Sequence, residues 1–191
     1  MKESSILVIS GLSGVGKTSL VDALCKEYHW CRPVLGTTTR IPRSGEVNGR
    51  HYHFMGKAEF RSRKAKGQFV EHVDLFGDSY AIGRKALEYA RNGGDGLAIM
   101  ILSPPGMKTI REQYPDDTYT MFVYPPSPEV LEERAGDRIK RDNAPFSGHV
   151  NLEYDYHLVN DEFKTTLHWL KLVAMATRGR RKLNILNQGI K

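Results

Sequence analysis

The apolar positions of this chain fall into short runs separated by glycine- and proline-marked breaks. Ile6-Leu7-Val8-Ile9 is an apolar, largely β-branched run that ends in a glycine-rich turn, after which Thr18 to Glu27 shifts to helical spacing with Leu20 and Leu24 on one face. This predicts a strand, a loop and a helix. The cycle recurs at Leu97 to Leu102, an unbroken apolar strand followed by Pro104, Pro105, Gly106 and a short helix through Ile110 to Gln113. It recurs again at Tyr119 to Tyr124, which leads through Pro125 and Pro126 into a helix capped near Ser127 and carrying Glu129, Leu131 and Glu132. Strands without a polar face, alternating with helices, predict an α/β fold whose parallel sheet is covered on both sides. A last helix is expected from about Asp161 to Ala176, with Phe163, Leu167, Leu170 and Val173 as a core-facing stripe.

Residues 37–83 break this rhythm with short extended pieces, His51 to Phe54 and Gln68 to Val73, around a helical stretch near Lys57 to Lys66. They read as an inserted acceptor-binding subdomain. The chain is 191 residues long, enough for one core with a small insert. The expected organisation is a single domain, with its core in about 1–36, 84–135 and 153–191, the insert in 37–83 and a lid in 136–152.

Composition narrows the class more than the function. With 40% hydrophobic and 26% charged residues, the chain is neither disordered nor fibrous. No apolar run approaches the about 20 residues of a membrane helix, and no signal-peptide pattern opens the chain, so a cytoplasmic monomer or homodimer away from membranes is expected. Cys25 and Cys31 lack metal-ligand spacing and are assigned no function. A net charge of +6 favours anionic partners, free nucleotides and nucleic acid alike. The basic run Arg178 to Lys182 reads first as a solvated tail and second as a nucleic-acid contact.

The sharpest chemistry lies directly after the first strand. Gly11-Leu12-Ser13-Gly14-Val15-Gly16-Lys17-Thr18 fits G-x-x-x-x-G-K-[ST] and opens a helix, the context this phosphate loop requires. Its glycines let successive N–H groups and the helix N-terminus face phosphate oxygens, and Lys17 adds a positive charge on the β and γ oxygens. Thr18 is the expected Mg²⁺ ligand, and Gly11, Ser13, Gly14, Val15, Gly16, Lys17, Thr18 and Ser19 form the expected donor site for ATP. The fold is therefore expected to be the three-layer αβα arrangement of P-loop NTPases. No NKxD-like segment marks a GTPase and little room remains for a motor's sensor regions, which leaves a small-molecule kinase.

On the acceptor side stand Thr37-Thr38-Thr39-Arg40, Arg43, Gly45-Glu46-Val47-Asn48-Gly49 and Tyr52, followed by Gln68-Phe69-Val70-Glu71, Gly77-Asp78-Ser79-Tyr80, Pro105-Gly106, Pro125-Pro126-Ser127 and Val159-Asn160-Asp161. In order and spacing these segments resemble the guanylate kinase family over most of the chain. The resemblance implies that Arg40, Arg43, Tyr52 and Tyr80 grip the acceptor phosphate, a task suited to guanidinium forks. It also implies that Glu71 accepts hydrogen bonds from the guanine edge and that Asn160 lies near the donor adenine. Strand alternation by itself allows Glu71 to point inward or outward.

Three departures qualify the resemblance. The family's Asp-x-Asp strand end reads Ile101-Leu102-Ser103, which leaves Ser103 as the substrate-side candidate there. Its guanine-contacting serines correspond to Ile82 and to about Gly36. The segment after the Pro-Pro-Ser helix is short, and Arg138 and Arg141 are the candidates for lid arginines that neutralise the moving phosphoryl group. Lys17, Arg40, Arg138 and Arg141 make up the expected catalytic set, working by in-line transfer without a covalent intermediate. GMP or dGMP is the leading acceptor. The competing readings are a kinase for a different or modified nucleotide, a sugar phosphate or a hydroxymethylated base in DNA, and a non-catalytic scaffold of the same fold.

Overall fold

In the computed structural model, which describes residues 4–92, 96–136 and 154–179, the elements follow in the order β1 (Ser5–Gly11), α1 (Lys17–Glu27), β2 (Cys31–Pro33), β3 (Gly36–Thr38), β4 (His53–Phe54), α2 (Lys57–Ala65), β5 (Phe69–Leu75), β6 (Asp78–Gly83), α3 (Arg84–Arg91), β7 (Leu97–Ile101), α4 (Pro104–Gln113), β8 (Thr118–Tyr124), α5 (Pro128–Ala135), β9 (Tyr156–Val159) and α6 (Phe163–Arg178). Five of the strands form a sheet in the order β2-β7-β1-β8-β9, every neighbouring pair parallel. The unbroken apolar runs follow from this burial. Leu7 and Ile9 of β1 pack with Leu20 and Leu24 of α1, Leu131 of α5 and Leu170 and Val173 of α6. Ile6 and Val8 face the opposite layer, with Leu87 of α3 and Met107 and Ile110 of α4. Both faces of the central strand are dry, so neither set of alternating positions has a use for a polar side chain.

A second, four-stranded sheet runs β4-β3-β6-β5, with β3 and β5 antiparallel to β6 and β4 parallel to β3. Its own small core is Phe60, Phe69 and Ala81, and Gln113 Nε2 of α4 donates to Val70 O at 2.7 Å to tie it to the main body. Phe163, expected on the core stripe, is instead 41% exposed, because it is the first residue of α6 and lies ahead of the turns that meet the sheet. Arg178 stacks over Trp30 with its guanidinium carbon 4.8 Å from the ring centre, so the start of the basic run packs on an aromatic side chain, while residues 180–182 lie outside the described residues.

Candidate functional site

The loop after β1 is shaped by positive backbone angles at Gly14 and Gly16. Gly16, with φ of +96°, also sits so close to Asn160 that a Cβ there would come within 2.5 Å of its Nδ2. Asn160 is buried under the loop. Its Nδ2 donates to Val15 O at 2.7 Å, its backbone N to Tyr124 O at 2.8 Å, and its carbonyl accepts from Arg134 Nη1 at 2.9 Å. Val15 is likewise buried, its side chain in the core. The Lys17 ammonium donates to Gly11 O at 2.7 Å and Leu12 O at 2.8 Å, which sets its charge inside the curl of the loop.

Across from the loop, Arg40 and Glu46 form a two-pronged ion pair, Nη1 to Oε2 and Nη2 to Oε1, each at 2.9 Å. Glu46 Oε2 also accepts from the Arg43 backbone N at 2.7 Å. Burial pushes the Glu46 carboxyl up, but the bonds from Arg40 and Arg43 outweigh it and hold the group below its ordinary value. The guanidinium of Arg40 lies 5.7 Å from the ring centre of Tyr52 and 5.6 Å from that of Phe54, and Tyr52 meets Tyr80 edge-on at 6.2 Å. The turn at residues 45–49 therefore serves to aim Arg40.

These groups share one cleft of 430 Å³. Gly11, Ser13, Gly14, Gly16, Lys17, Thr18 and Ser19 line one side, Arg40, Arg43, Tyr52 and Tyr80 the other, and Glu71 and Ser103 its inner end. Arg134, in the last turn of α5, also lines it. Sequence reasoning passed over Arg134; its position in the final turn of the helix after Pro-Pro-Ser was the available signal. Arg138 and Arg141 lie outside the described residues.

Glu71 points inward because of a register shift in β5 between Phe69 and Glu71, which brings Phe69, Val70 and Glu71 all into buried positions. The carboxylate is only 2% exposed, and burial pushes its pKa up to about 7. It rests against the first turn of α4, where a Cβ on Gly106 would stand 2.5 Å from Glu71 Oε1. Gly106→Ala is accordingly expected to displace Glu71 and weaken acceptor binding about 10-fold or more with ATP affinity unchanged, measured as separate KM values for the two substrates. Equal effects on both would count against a local clash.

A protein-family model described as guanylate kinase matches residues 3–177. The guanylate kinase of Alkalilimnicola ehrlichii is 36% identical over 185 residues, covering 92% of this chain and 90% of its own. That of Geobacter metallireducens is 34% identical over 188 residues, covering 94% and 92%. The crystal structure of guanylate kinase from Anaplasma phagocytophilum superposes with a TM-score of 0.78 at 26% identity over 96% of this chain and 93% of the other.

Proposed function

The chain belongs to the guanylate kinase family and is a guanylate kinase-type nucleoside monophosphate kinase, a phosphotransferase, and from that premise we propose how its residues divide the work. ATP, the donor used by the family, sits with its phosphates in the loop from Gly11 to Thr18, and Lys17 compensates the charge on the transferred group. Arg40, Arg43, Tyr52 and Tyr80 hold the phosphate of GMP or dGMP, and Glu71 and Ser103 receive its base. The observation that carries this reading is that the phosphate loop and the group of Arg40, Arg43, Tyr52 and Tyr80 line a single cleft. Two anionic substrates brought together there need positioning and charge compensation, and an acceptor phosphate already ionised at neutral pH needs no general base. Arg134 joins the cationic set from the loop side.

Among the described residues no group of three or more His, Cys, Asp or Glu side chains offers a metal cage. The exposed Thr18 hydroxyl on the cleft suits Mg²⁺ all the same, since that ion binds through one or two protein oxygens, substrate phosphates and water. When bound, the ion would neutralise charge between the β- and γ-phosphates. The reading extends to one kinase unit with an acceptor-binding insert in 37–83 and a lid in 136–152, acting in the cytoplasm as a monomer or homodimer. Among the described residues no helix is long and apolar enough to cross a membrane.

The test is ADP release from Mg·ATP with GMP and dGMP, comparing the wild type with Arg40→Lys. Loss of the two-pronged geometry is expected to raise KM for the monophosphate about 10-fold or more and to leave KM for ATP unchanged. ADP release that ignores the acceptor would sink the reading.

A further inference from the structure

Two polar atoms at the inner end of the cleft have no hydrogen-bond partner, Glu71 Oε1 and Ser103 Oγ. Ser103 occupies the N-cap of α4, a position where a serine hydroxyl ordinarily accepts a first-turn N–H, yet it makes no such bond and lines the cleft instead. Glu71 rests on the same helix start, against Gly106. The opposite flank differs. Glu71 pairs across the sheet with Ile82, and Ile82 with Gly36, so that side presents one apolar side chain and one position without any. Even a Cβ at Gly36 would press on Tyr52, 3.3 Å from its ring.

A purine edge offers three groups in a row, the 2-substituent, N1 and the 6-substituent. An exocyclic amino group placed between Glu71 and Ser103 can give one hydrogen to each oxygen. A carbonyl in that place would oppose the ionised Glu71 and could take a hydrogen only from the Ser103 hydroxyl or from protonated Glu71. The group that satisfies both oxygens as acceptors, whichever form Glu71 takes, is an amino group, at position 2 in guanine, and position 6 is then turned to the flank of Ile82 and Gly36, which supply no side-chain donor. Resting on the kinase reading above, we propose that the acceptor site selects for the purine 2-amino group and is permissive at position 6, so that 2-aminopurine and 2,6-diaminopurine nucleoside monophosphates are acceptors alongside GMP.

N1 carries hydrogen in guanine and is bare in the other two bases. Glu71 meets both cases. Ionised, it accepts from N1–H; protonated, it donates to bare N1 while its other oxygen accepts from the 2-amino group. Burial, which brings this carboxyl to about 7, keeps both forms accessible near neutrality. The other titratable groups on the cleft are Arg40, Arg43, Glu46, Tyr52 and Tyr80 at the phosphate end and Lys17 and Arg134 beside the loop.

The experiment measures kcat/KM with Mg·ATP for GMP, 2-aminopurine, 2,6-diaminopurine, hypoxanthine and adenine nucleoside monophosphates, together with calorimetric binding of the same five without ATP. The two 2-amino analogues are expected within about 10-fold of GMP, and the hypoxanthine and adenine nucleotides about 100-fold or more below it, the scale of hydrogen bonds lost to a charged partner. Ser103→Ala is expected to shrink the GMP-to-IMP ratio about 5-fold or more. Turnover of GMP alone, or IMP ahead of the 2-amino analogues, would overturn the proposal and leave the kinase reading standing. Binding in the expected order without turnover would uphold the base preference and overturn the kinase reading instead.

Discussion

Lys17→Ala is expected to lower kcat for acceptor-dependent ADP release by about 10³-fold, a loss on the scale of removing a preorganised charge from a site where negative charge shifts in the transition state. The ammonium is held within the loop by the carbonyls of Gly11 and Leu12, so it stands ready for phosphate oxygens without reorganising the backbone. The loop itself does not depend on it. Its curl is set by the left-handed angles at Gly14 and Gly16 and by the Asn160 bond to Val15 O. Stability is therefore expected to change by less than about 1 kcal/mol. Steady-state kinetics beside a urea titration would check both halves; an unchanged kcat would remove Lys17 from the mechanism, and an unfolded variant would assign it to the scaffold.

Glu71→Gln is the second large effect, and it runs in opposite directions for stability and for activity. Burial raises the Glu71 pKa from 4.5 to about 7 in the folded protein, while the unfolded chain titrates near the ordinary value. Between those values the folded state holds a proton that the unfolded state has released, so this group's contribution falls as pH rises through the window. The loss is complete above about 7, and at 1.36 kcal/mol per unit it amounts to about 3 kcal/mol. Glutamine cannot ionise. The variant should equal the wild type in urea stability near pH 4 and exceed it near pH 8, and the difference between the two proteins isolates this carboxyl from every other titrating group. The same change removes the proposed acceptor of the base N1–H and is expected to lower kcat/KM for GMP about 100-fold. A wild type and variant with parallel pH–stability curves would show that Glu71 is solvated.

The strong features of the chain were legible because a single local signal carried each. The apolar runs around Ile6–Ile9, Leu97–Leu102 and Tyr119–Tyr124 became β1, β7 and β8, and the phosphate loop stood where its motif placed it. Weak elements escaped. β2 is three residues ending in Pro33, and β9 is four residues stabilised by pairing with β8, a partner distant in sequence. α3 is eight residues long and packs Ala86, Leu87 and Ala90 against the body, with the Arg91 guanidinium buried on Ser4 O and Asp117, a window of about two turns flanked by arginine, lysine and glutamate. The direction of Glu71 was open in the sequence because a shift of one residue in a strand reverses the face, and only the β5 irregularity decides it. The polarity of the inner cleft was similarly hidden. Ser103 reads as a helix cap from its position before two prolines, and that it leaves the cap unmade is a fact of three-dimensional packing. That Arg40, Arg43, Tyr52 and Tyr80 belong on one cleft was readable from the family resemblance, but the pairing of Glu46 with Arg40 and the presence of Arg134 on the cleft were not.

Asn160 has a consequence for how this chain can change over generations. α5 ends with Ala135 against Gly14 and with Arg134 bound to the Asn160 carbonyl, and the chain resumes at Tyr154, packed edge-on against Phe122 at 5.1 Å, and Asp155, which accepts from the Thr120 backbone N at 2.9 Å. Both flanks of residues 137–153 are thus anchored independently of whatever lies between them. The bonds that fix the phosphate loop from this side, Asn160 to Val15 O and Arg134 to the Asn160 carbonyl, therefore belong to the anchored flanks, and a change of length between them leaves that support of the donor site in place.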